Sequence, residues 1–489
     1  CSSDLVEAAM SIFKQALAIQ PNSPEAFACL FSMKEMTCNW DTREADLIQL
    51  WQLTEKQLQE GKTTAVTPFD TLYKPWPGSQ QLKVACNYAQ EIKRQLALVT
   101  KPLNFNHSRT RFGGLKIGYL CHDFRNHPTS HLMKSVFGLH DRANFEIIAY
   151  SYGPDDGSEY RRRIANDCDR FYDIATLSIT ESAQRIFDDG VHILVDLMGY
   201  IDKARTQILA LKPAPIQVNY LVYPGTMGAD FIDYLIGDAI VTPPESADNF
   251  SEKLVILPDS YQANDYQQII SSKPVTRSQH GLPESGFVFC CFNHTYKIEP
   301  QIFTIWMQIL DNVPGSVLWL FSRVAEAEGN LRREAQARGI EGDRLIFAHL
   351  EPKPEHLARH QLADLFLDTL YYNAHTTGSD ALWAGLPIIT CPGATFPSRV
   401  GASLLTAIGL PELITKNLEE YKNLAIDLAN SPDKLQEIKQ KLAQNRLTYP
   451  LFDTIRFTRN LEKAYRAMWD IYAEGKSPQM INVSSTKLC

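Results

Sequence analysis

At 489 residues the chain is longer than one hydrophobic core can use, and at roughly 150 residues per domain it should hold about three units. A net charge of −8, with 21% charged and 44% hydrophobic residues, is ordinary for a soluble globular protein and argues against a general nucleic-acid binder, which would carry a basic face. Ten cysteines, two adjacent at Cys290-Cys291 and none in a C-x-x-C pair, suit free thiols in a reducing compartment better than a disulfide framework or a zinc site. No apolar run reaches the roughly 18 residues that span a bilayer, and no basic-then-apolar signal peptide opens the chain, so a cytoplasmic protein is expected. The chain starts at Cys1 without a methionine; a cut or processed end is the expected reason, and a lipid-modified N-terminal cysteine the lesser alternative.

In chain order, Ala9 and Phe13 followed by Ala16-Leu17-Ala18-Ile19-Gln20-Pro21-Asn22-Ser23-Pro24-Glu25-Ala26 have the helix, turn and helix spacing of a tetratricopeptide repeat, with a plain helical hairpin as the alternative. One repeat forms no solenoid by itself, so it either caps a longer array or packs on the domain that follows. Helical patterning continues to Leu98, giving an expected helical segment over 1–100, and the polar stretch Lys101 to Gly114 reads as a linker. From Leu115 short apolar strands alternate with helices: Leu115–Cys121, Phe145–Tyr150, Ile193–Leu197, Ile216–Val222, Tyr234–Ile236 and Leu254–Leu257. The alternation predicts a parallel sheet covered by helices on both faces, a lobe over 115–262. After a polar interruption, Gln262 to Gln279, a second lobe is expected over 280–416, with strands at Phe287–Phe292, Val317–Phe321, Leu345–Phe347, Leu365–Leu367 and Ile388–Thr390. The charged tail over 417–475 reads as helices packing on the lobes. Two doubly wound domains in succession place ligands at the C-terminal ends of their strands, in a cleft between them.

Polar clusters gather at those strand ends. Cys121-His122-Asp123-Phe124-Arg125-Asn126-His127-Pro128-Thr129-Ser130-His131 follows the first strand, a density that favours a functional loop over satisfied core histidines. Tyr223-Pro224-Gly225-Thr226-Met227-Gly228 offers two glycines for close backbone approach to a ligand, or simply a tight turn. Asn293-His294-Thr295-Tyr296-Lys297-Ile298 brings a lysine able to meet a diphosphate as a point charge, although a single lysine is most often a solvated surface group. Lys353-Pro354-Glu355-His356 supplies a cation and a planar ring suited to ribose and base, or a plain helix start. Tyr372-Asn373-Ala374-His375-Thr376-Thr377-Gly378-Ser379-Asp380 runs from a strand into the helical pattern of Ala381-Leu382-Trp383. Such a helix N-terminus, with free N–H groups, the positive end of the dipole and two threonine hydroxyls, is a phosphate cradle. The competing explanation is an ordinary cap, Thr377 with Asp380 as its capping-box acid. Asp167-Cys168-Asp169 matches a D-x-D metal pattern but lies in a charged helical stretch after Arg161-Arg162-Arg163, and Asp155-Asp156-Gly157 is most simply a turn. No metal-ligand spacing and no nucleophile elbow is present.

Together Gly118-Tyr119, Asp123-Phe124, Asn126-His127-Pro128-Thr129-Ser130-His131-Leu132-Met133, Pro213-Ala214-Pro215-Ile216-Gln217, Tyr223-Pro224-Gly225-Thr226, Tyr296-Lys297-Ile298, Gln361-Leu362-Ala363-Asp364 and His375-Thr376-Thr377-Gly378 resemble the catalytic region of the O-linked N-acetylglucosamine transferases, over nearly the whole chain. The resemblance implies an α/β chain with a GT-B fold: two Rossmann-like domains facing a cleft, preceded by an α-helical tetratricopeptide-like segment. It also implies UDP-N-acetylglucosamine as donor, no metal or other cofactor, and inverting transfer to Ser or Thr hydroxyls of protein or peptide acceptors reached through the helical repeat and the cleft. By that resemblance Lys297 would hold the diphosphate with Thr376 and Thr377, and His375 would lie by the phosphates. His356 would stack on uracil while Lys353 and Asp380 serve the nucleoside. His127 and Thr129 would border the sugar with Asp123 beneath them, and Leu221, Pro224, Gly225 and His294 would complete the donor's surroundings. His127, Asp123 and Lys297 are the expected catalytic residues.

Charge developing on a leaving diphosphate is what Lys297 and a helix terminus would stabilise in place of a metal. The base stays open: His127, oriented by Asp123, has a suitable intrinsic pKa near 6.5, and a donor phosphate oxygen is the alternative. The animal enzymes' His-His-Ser-Met-Leu segment is Pro68-Phe69-Asp70-Thr71-Leu72 here, which weakens any mechanism that needs those histidines. Their glutamine three residues before the key lysine is His294, and their cysteine near the sugar is Tyr372; both changes bear on donor choice. The short link between lobes is like that of bacterial members. The other readings are transfer of a different sugar, such as glucose or fucose, to protein or a small acceptor, and a repeat scaffold that binds nucleotide without turnover.

Overall fold

The computed structural model describes residues 3–99, 103–111 and 113–485; Cys1 and part of the expected linker at 101–114 lie outside them. The chain forms two compact units, one of residues 67–72, 76–268 and 449 onward, the other of residues up to 66, 73–75 and 269–448.

In the first unit β1 (Leu115–Cys121), β2 (Phe145–Ser151), β3 (Arg170–Asp173), β4 (Ile193–Asp196), β5 (Ile216–Asn219), β6 (Tyr234–Asp238) and β7 (Lys253–Leu257) make a parallel sheet. Most positions of β1 and β2, and all of β4, β5 and β6, are buried. Strands covered on both faces are apolar along their length and do not alternate, which is why these segments stand out in the sequence. The second unit is built on β8 (Val288–Cys291), β9 (Val317–Phe321), β10 (Leu345–Ala348), β11 (Leu365–Leu367) and β12 (Ile388–Ile389), again all parallel. A short β13 (Ile481–Asn482) returns to pair with β7, so the first sheet has eight strands in the order β13-β7-β6-β5-β4-β1-β2-β3 and the second five in the order β10-β9-β8-β11-β12. In each sheet the strand order reverses once, between β1 and β4 and between β8 and β11, and the loops leaving those strands flank the crevice where such sheets bind ligands.

The helical segment over 1–100 forms, but it is divided between the two units. Helices Ser3–Ile19, Pro24–Met36 and Arg43–Gln59 fold with the five-stranded unit, whereas Gly78–Val99 folds with the eight-stranded one. Contacts with the lobes hold parts of this segment: Trp40 packs edge-on against Phe303 with centroids 5.4 Å apart, and Gly78–Val99 lies so close to Gly228 that a Cβ there would fall 2.3 Å from the Cys86 amide nitrogen. The repeat-like pair does form, with Ser23 capping the second helix by accepting from the Ala26 amide ahead of Pro24. The tail also divides. Leu418–Asn430 and Pro432–Thr448 stay with the five-stranded unit, while Thr454–Ala473 covers the other sheet, where the Tyr465 and Tyr119 hydroxyls lie 3.0 Å apart and Arg456 meets Asp259 at 2.7 Å.

Two local expectations are corrected. Asp167 ends a helix, Glu159–Asp167, but Asp169 has left it and leads into β3, an edge strand of half-exposed residues whose polarity hid it. The start of the polar interruption is no exposed linker: Gln262, Asn264 and Asp265 are buried, with the Asp265 carboxylate accepting from Ser135 and facing Lys134 at 3.1 Å.

Candidate active site

The predicted site residues fall into two groups, one in each unit. In the five-stranded unit the loops after β8 and β11 carry the first group. β8 leads through Asn293 and His294 into one 3-10 turn, Thr295–Lys297. From its end the half-buried Lys297 donates to the Asn373 carbonyl at 3.1 Å and lies 3.9 Å from the centre of the Tyr372 ring. Desolvation outweighs the pull of Asp368 and Cys291, and the ammonium's pKa falls to about 7.

Asp368, at the end of β11, was not anticipated. It is buried, and its carboxylate accepts from the Thr369 amide (2.8 Å), the Ala374 amide (2.6 Å) and the Thr390 hydroxyl (2.7 Å). Burial raises its pKa to about 6 against those three donors and Lys297. Its loop is closed further by Thr369, whose hydroxyl donates to the Tyr372 carbonyl at 2.6 Å, and by Asn373, whose side-chain amide donates to the Thr369 carbonyl at 2.5 Å. An ionisable residue inside the apolar run Leu362–Leu370 was the available signal, because a charge is placed at the end of a buried strand only when donors meet it.

The same loop delivers the helix Thr376–Ala384, whose N-cap is His375 with no side-chain cap bond. The ordinary-cap explanation fails: the Thr377 hydroxyl donates to Asn293 Oδ1 at 2.5 Å, and Asp380 is buried in an ion pair with Lys353. The first N–H groups of the helix therefore lack intrahelical partners and carry the positive end of its dipole. Asn293, which also donates to Thr369 at 2.8 Å, ties this terminus to the turn that bears Lys297. His375 stacks on Tyr372 at 4.6 Å, and burial with the neighbouring Lys297 charge holds its pKa well below normal, so its ring is neutral.

Beside this group stand Lys353 and His356, on the helix Lys353–Arg359. His356 has Nε2 3.7 Å from Asp380 and receives a hydrogen bond from Arg359 on Nδ1 at 2.8 Å. Phe292 and His360 flank its ring at 5.7 and 4.7 Å. His294 is exposed, its ring stacked on Tyr296 at 5.7 Å and meeting Phe321 edge-on.

In the eight-stranded unit the loop after β1 brings together His122, Asp123, Arg125, His127 and Thr129. Buried Asp123 accepts from His122 Nδ1 at 2.9 Å and from Arg125 at 3.0 Å, with His127 Nδ1 at 3.4 Å. His127 is also the N-cap of the helix Pro128–Leu139, with Nδ1 3.4 Å from the Thr129 amide and 3.1 Å from its hydroxyl. As an acceptor from that amide, Nδ1 leaves the ring proton on Nε2. To act as a base through Nε2 the ring must take the other tautomer, with its Nδ1 proton facing Asp123. Desolvation, aided by Arg125 and His122, outweighs Asp123 and lowers the His127 pKa, which favours the neutral ring a base requires. Asp156, in the predicted turn, pins this loop by accepting from the Asn126 amide at 2.7 Å.

Leu221 follows β5 in a left-handed backbone, φ 76°, a strain usually confined to functional loops in bulky residues. Pro224 and Gly225 are buried, and the two glycines of the segment serve packing. A Cβ on Gly225 would stand 2.9 Å from a Leu72 methyl, and Gly228, at φ 58°, abuts the backbone of helix Gly78–Val99. Glu252 holds the loop, accepting from the Thr226 hydroxyl at 2.7 Å and the Met227 amide at 2.6 Å. Among the described residues no group of three or more His, Cys, Asp or Glu could hold a metal ion. Where the animal proteins have histidines, Pro68–Thr71 is a short helix closed by a Thr67/Asp70 capping box.

Two Rossmann-like parallel sheets, each with its polar residues on the loops beside its point of strand reversal, define the GT-B class of fold. Within that class the chain belongs to glycosyl transferase family 41, whose profile matches residues 37–275 and 271–461. It is 41% identical over 467 residues to the probable UDP-N-acetylglucosamine–peptide N-acetylglucosaminyltransferase SEC of Arabidopsis thaliana, covering 93% of this chain and 48% of that protein. It is 29% identical over 558 residues to the UDP-N-acetylglucosamine–peptide N-acetylglucosaminyltransferase of Caenorhabditis elegans, covering 90% and 48%. The chain thus spans about half the length of the curated relatives it matches. A solved lysine-to-methionine mutant of Thermobaculum terrenum O-GlcNAc transferase superposes with a TM-score of 0.82 at 27% identity, over 96% of this chain and 88% of that one.

Proposed function

We propose that the chain is an inverting glycosyltransferase that moves N-acetylglucosamine from UDP-N-acetylglucosamine to Ser or Thr hydroxyls of proteins, without a metal, in the cytoplasm. The observation that carries this reading is Lys297, its pKa near 7, set beside a helix terminus that no side chain caps. The activities for which the relatives are named support the donor and acceptor. In the displacement the acceptor oxygen forms a bond to the anomeric carbon as the bond to the diphosphate oxygen breaks, inverting that centre. Negative charge grows on the diphosphate, where the protonated Lys297 and the N–H groups of Thr376–Ala384 meet it. Lys353, Asp380 and His356 take the nucleoside. The acceptor's proton goes to His127, oriented by Asp123, or to a phosphate oxygen, and the helical hairpin takes part in holding the acceptor. Tyr372, whose ring covers Lys297, favours a second reading in which the donor carries another sugar.

The test is UDP release from UDP-N-acetylglucosamine with a mixed peptide acceptor and a chelator present. Release should persist under chelation, fall about 10²–10³-fold or more in Lys297→Met, and fall about 10²–10⁴-fold in His127→Ala with UDP affinity retained. Tight UDP binding without release would transfer the proposal to another donor sugar or to a non-catalytic scaffold.

A further inference from the structure

We propose that Thr295 is a positioning residue for Lys297, held in place by the end of the helical hairpin. The catalytic meaning of this assignment rests on the function proposed above. Helix Pro24–Met36 ends at Thr37 and Cys38. A helix end leaves carbonyls without partners, and here residues of the α/β lobe supply two of the missing donors. The Thr295 hydroxyl donates to the Met36 carbonyl at 2.6 Å, and the Asn330 side-chain amide donates to the Thr37 carbonyl at 2.8 Å. Cys38, fully buried, takes the left-handed backbone (φ 51°) that normally favours glycine after a helix. Its thiol is directed at the Thr295 carbonyl, 3.6 Å away, an interaction glycine could not make.

Thr295 is therefore gripped at its hydroxyl and at its carbonyl by one helix end. The carbonyl also accepts from the Ile298 amide at 2.9 Å, closing the single turn that carries Lys297. Tyr296, between them, packs on Tyr73 at 4.9 Å. With Tyr296 alone separating Thr295 from Lys297, a shift of the hairpin end turns the lysine away from the Asn373 carbonyl and the Tyr372 ring.

The test uses the whole chain with Thr295→Val, which removes the hydroxyl at nearly constant volume, and Thr295→Ser, which keeps it. Competitive acetylation of Lys297 across pH 6 to 10, read by mass spectrometry, follows its ionisation with no ligand present. The groups facing its ammonium are Asp368, Cys291, His294 and His375 together with the Tyr372 ring. None of them is substituted in either variant. Thr295→Val should move the labelling midpoint upward as the ammonium gains water, Thr295→Ser should restore it, and UDP affinity by calorimetry should fall about ten- to a hundredfold in the valine variant alone. An unchanged midpoint in Thr295→Val overturns the assignment. A shifted midpoint in a protein that never binds UDP upholds the positioning and overturns the donor reading.

Discussion

An ammonium whose pKa has fallen to about 7 destabilises the fold wherever it stays protonated, and the same desolvation makes it a strong partner for a diphosphate. The unfolded lysine titrates near 10.4. Below pH 7 folded and unfolded chains both carry the proton and the penalty is complete; between about 7 and 10 the unfolded chain binds more protons, so stability rises with pH. Lys297→Met should accordingly raise the unfolding midpoint at pH 6, and the gain should shrink toward pH 10. Asp368 opposes part of this gain, since the variant loses the opposite charge beside its buried carboxylate; its carboxyl, already raised to about 6, then takes up a proton at pH 6, which limits the loss at that pH. Urea unfolding of both proteins at pH 6 and pH 9 measures this; a variant that is less stable at pH 6 would show that the cation helps the fold. The strand-end loops that carry His127 and Lys297 were legible in the sequence because ionisable residues crowded the ends of apolar strands. Asp368 was not, since its three donors come from Thr369, Ala374 and Thr390, and the last lies beyond an intervening helix.

At the scale of elements, the strands were legible where burial on both faces made them continuously apolar. The edge strands β3 and β13 were missed for the opposite reason: one is half exposed with charged ends, the other two residues long. The segment Tyr223–Gly228 shows a different limit. A glycine-rich strand end predicts close approach, but not by what, and here the approaching backbone is Cys86, far off in sequence. Gly228→Ala should then destabilise the protein by about 2–4 kcal/mol, since it forces a Cβ onto backbone and a left-handed φ onto a non-glycine residue. Gly225→Ala, whose Cβ would meet the movable end of a Leu72 side chain, should lose much less. Thermal unfolding of the two variants decides between packing and ligand approach as the role of Gly228, because a glycine kept for a ligand could be replaced with little change in the stability of the free protein.

Across the whole molecule the chain leaves the eight-stranded unit near residue 268 and returns to it at 449, so the final helix completes a sheet begun more than 300 residues earlier in sequence. The sequence showed that the tail is helical; it did not show that the tail is shared, because a charged amphipathic helix carries no label for the face it covers. Truncation after Thr448 should remove the cover that Tyr465 and Trp469 give to β1 and His192 while leaving every predicted diphosphate and nucleoside residue in the other unit. In calorimetry the truncated chain should lose the transition of the eight-stranded unit and keep that of the five-stranded one. UDP at a hundred times its dissociation constant should still stabilise the remaining transition by about 2.7 kcal/mol. Loss of that UDP-dependent shift on truncation would mean that the nucleotide does not rely on Lys297, Lys353 and the Thr376–Ala384 terminus alone, and that the eight-stranded unit supplies part of its binding.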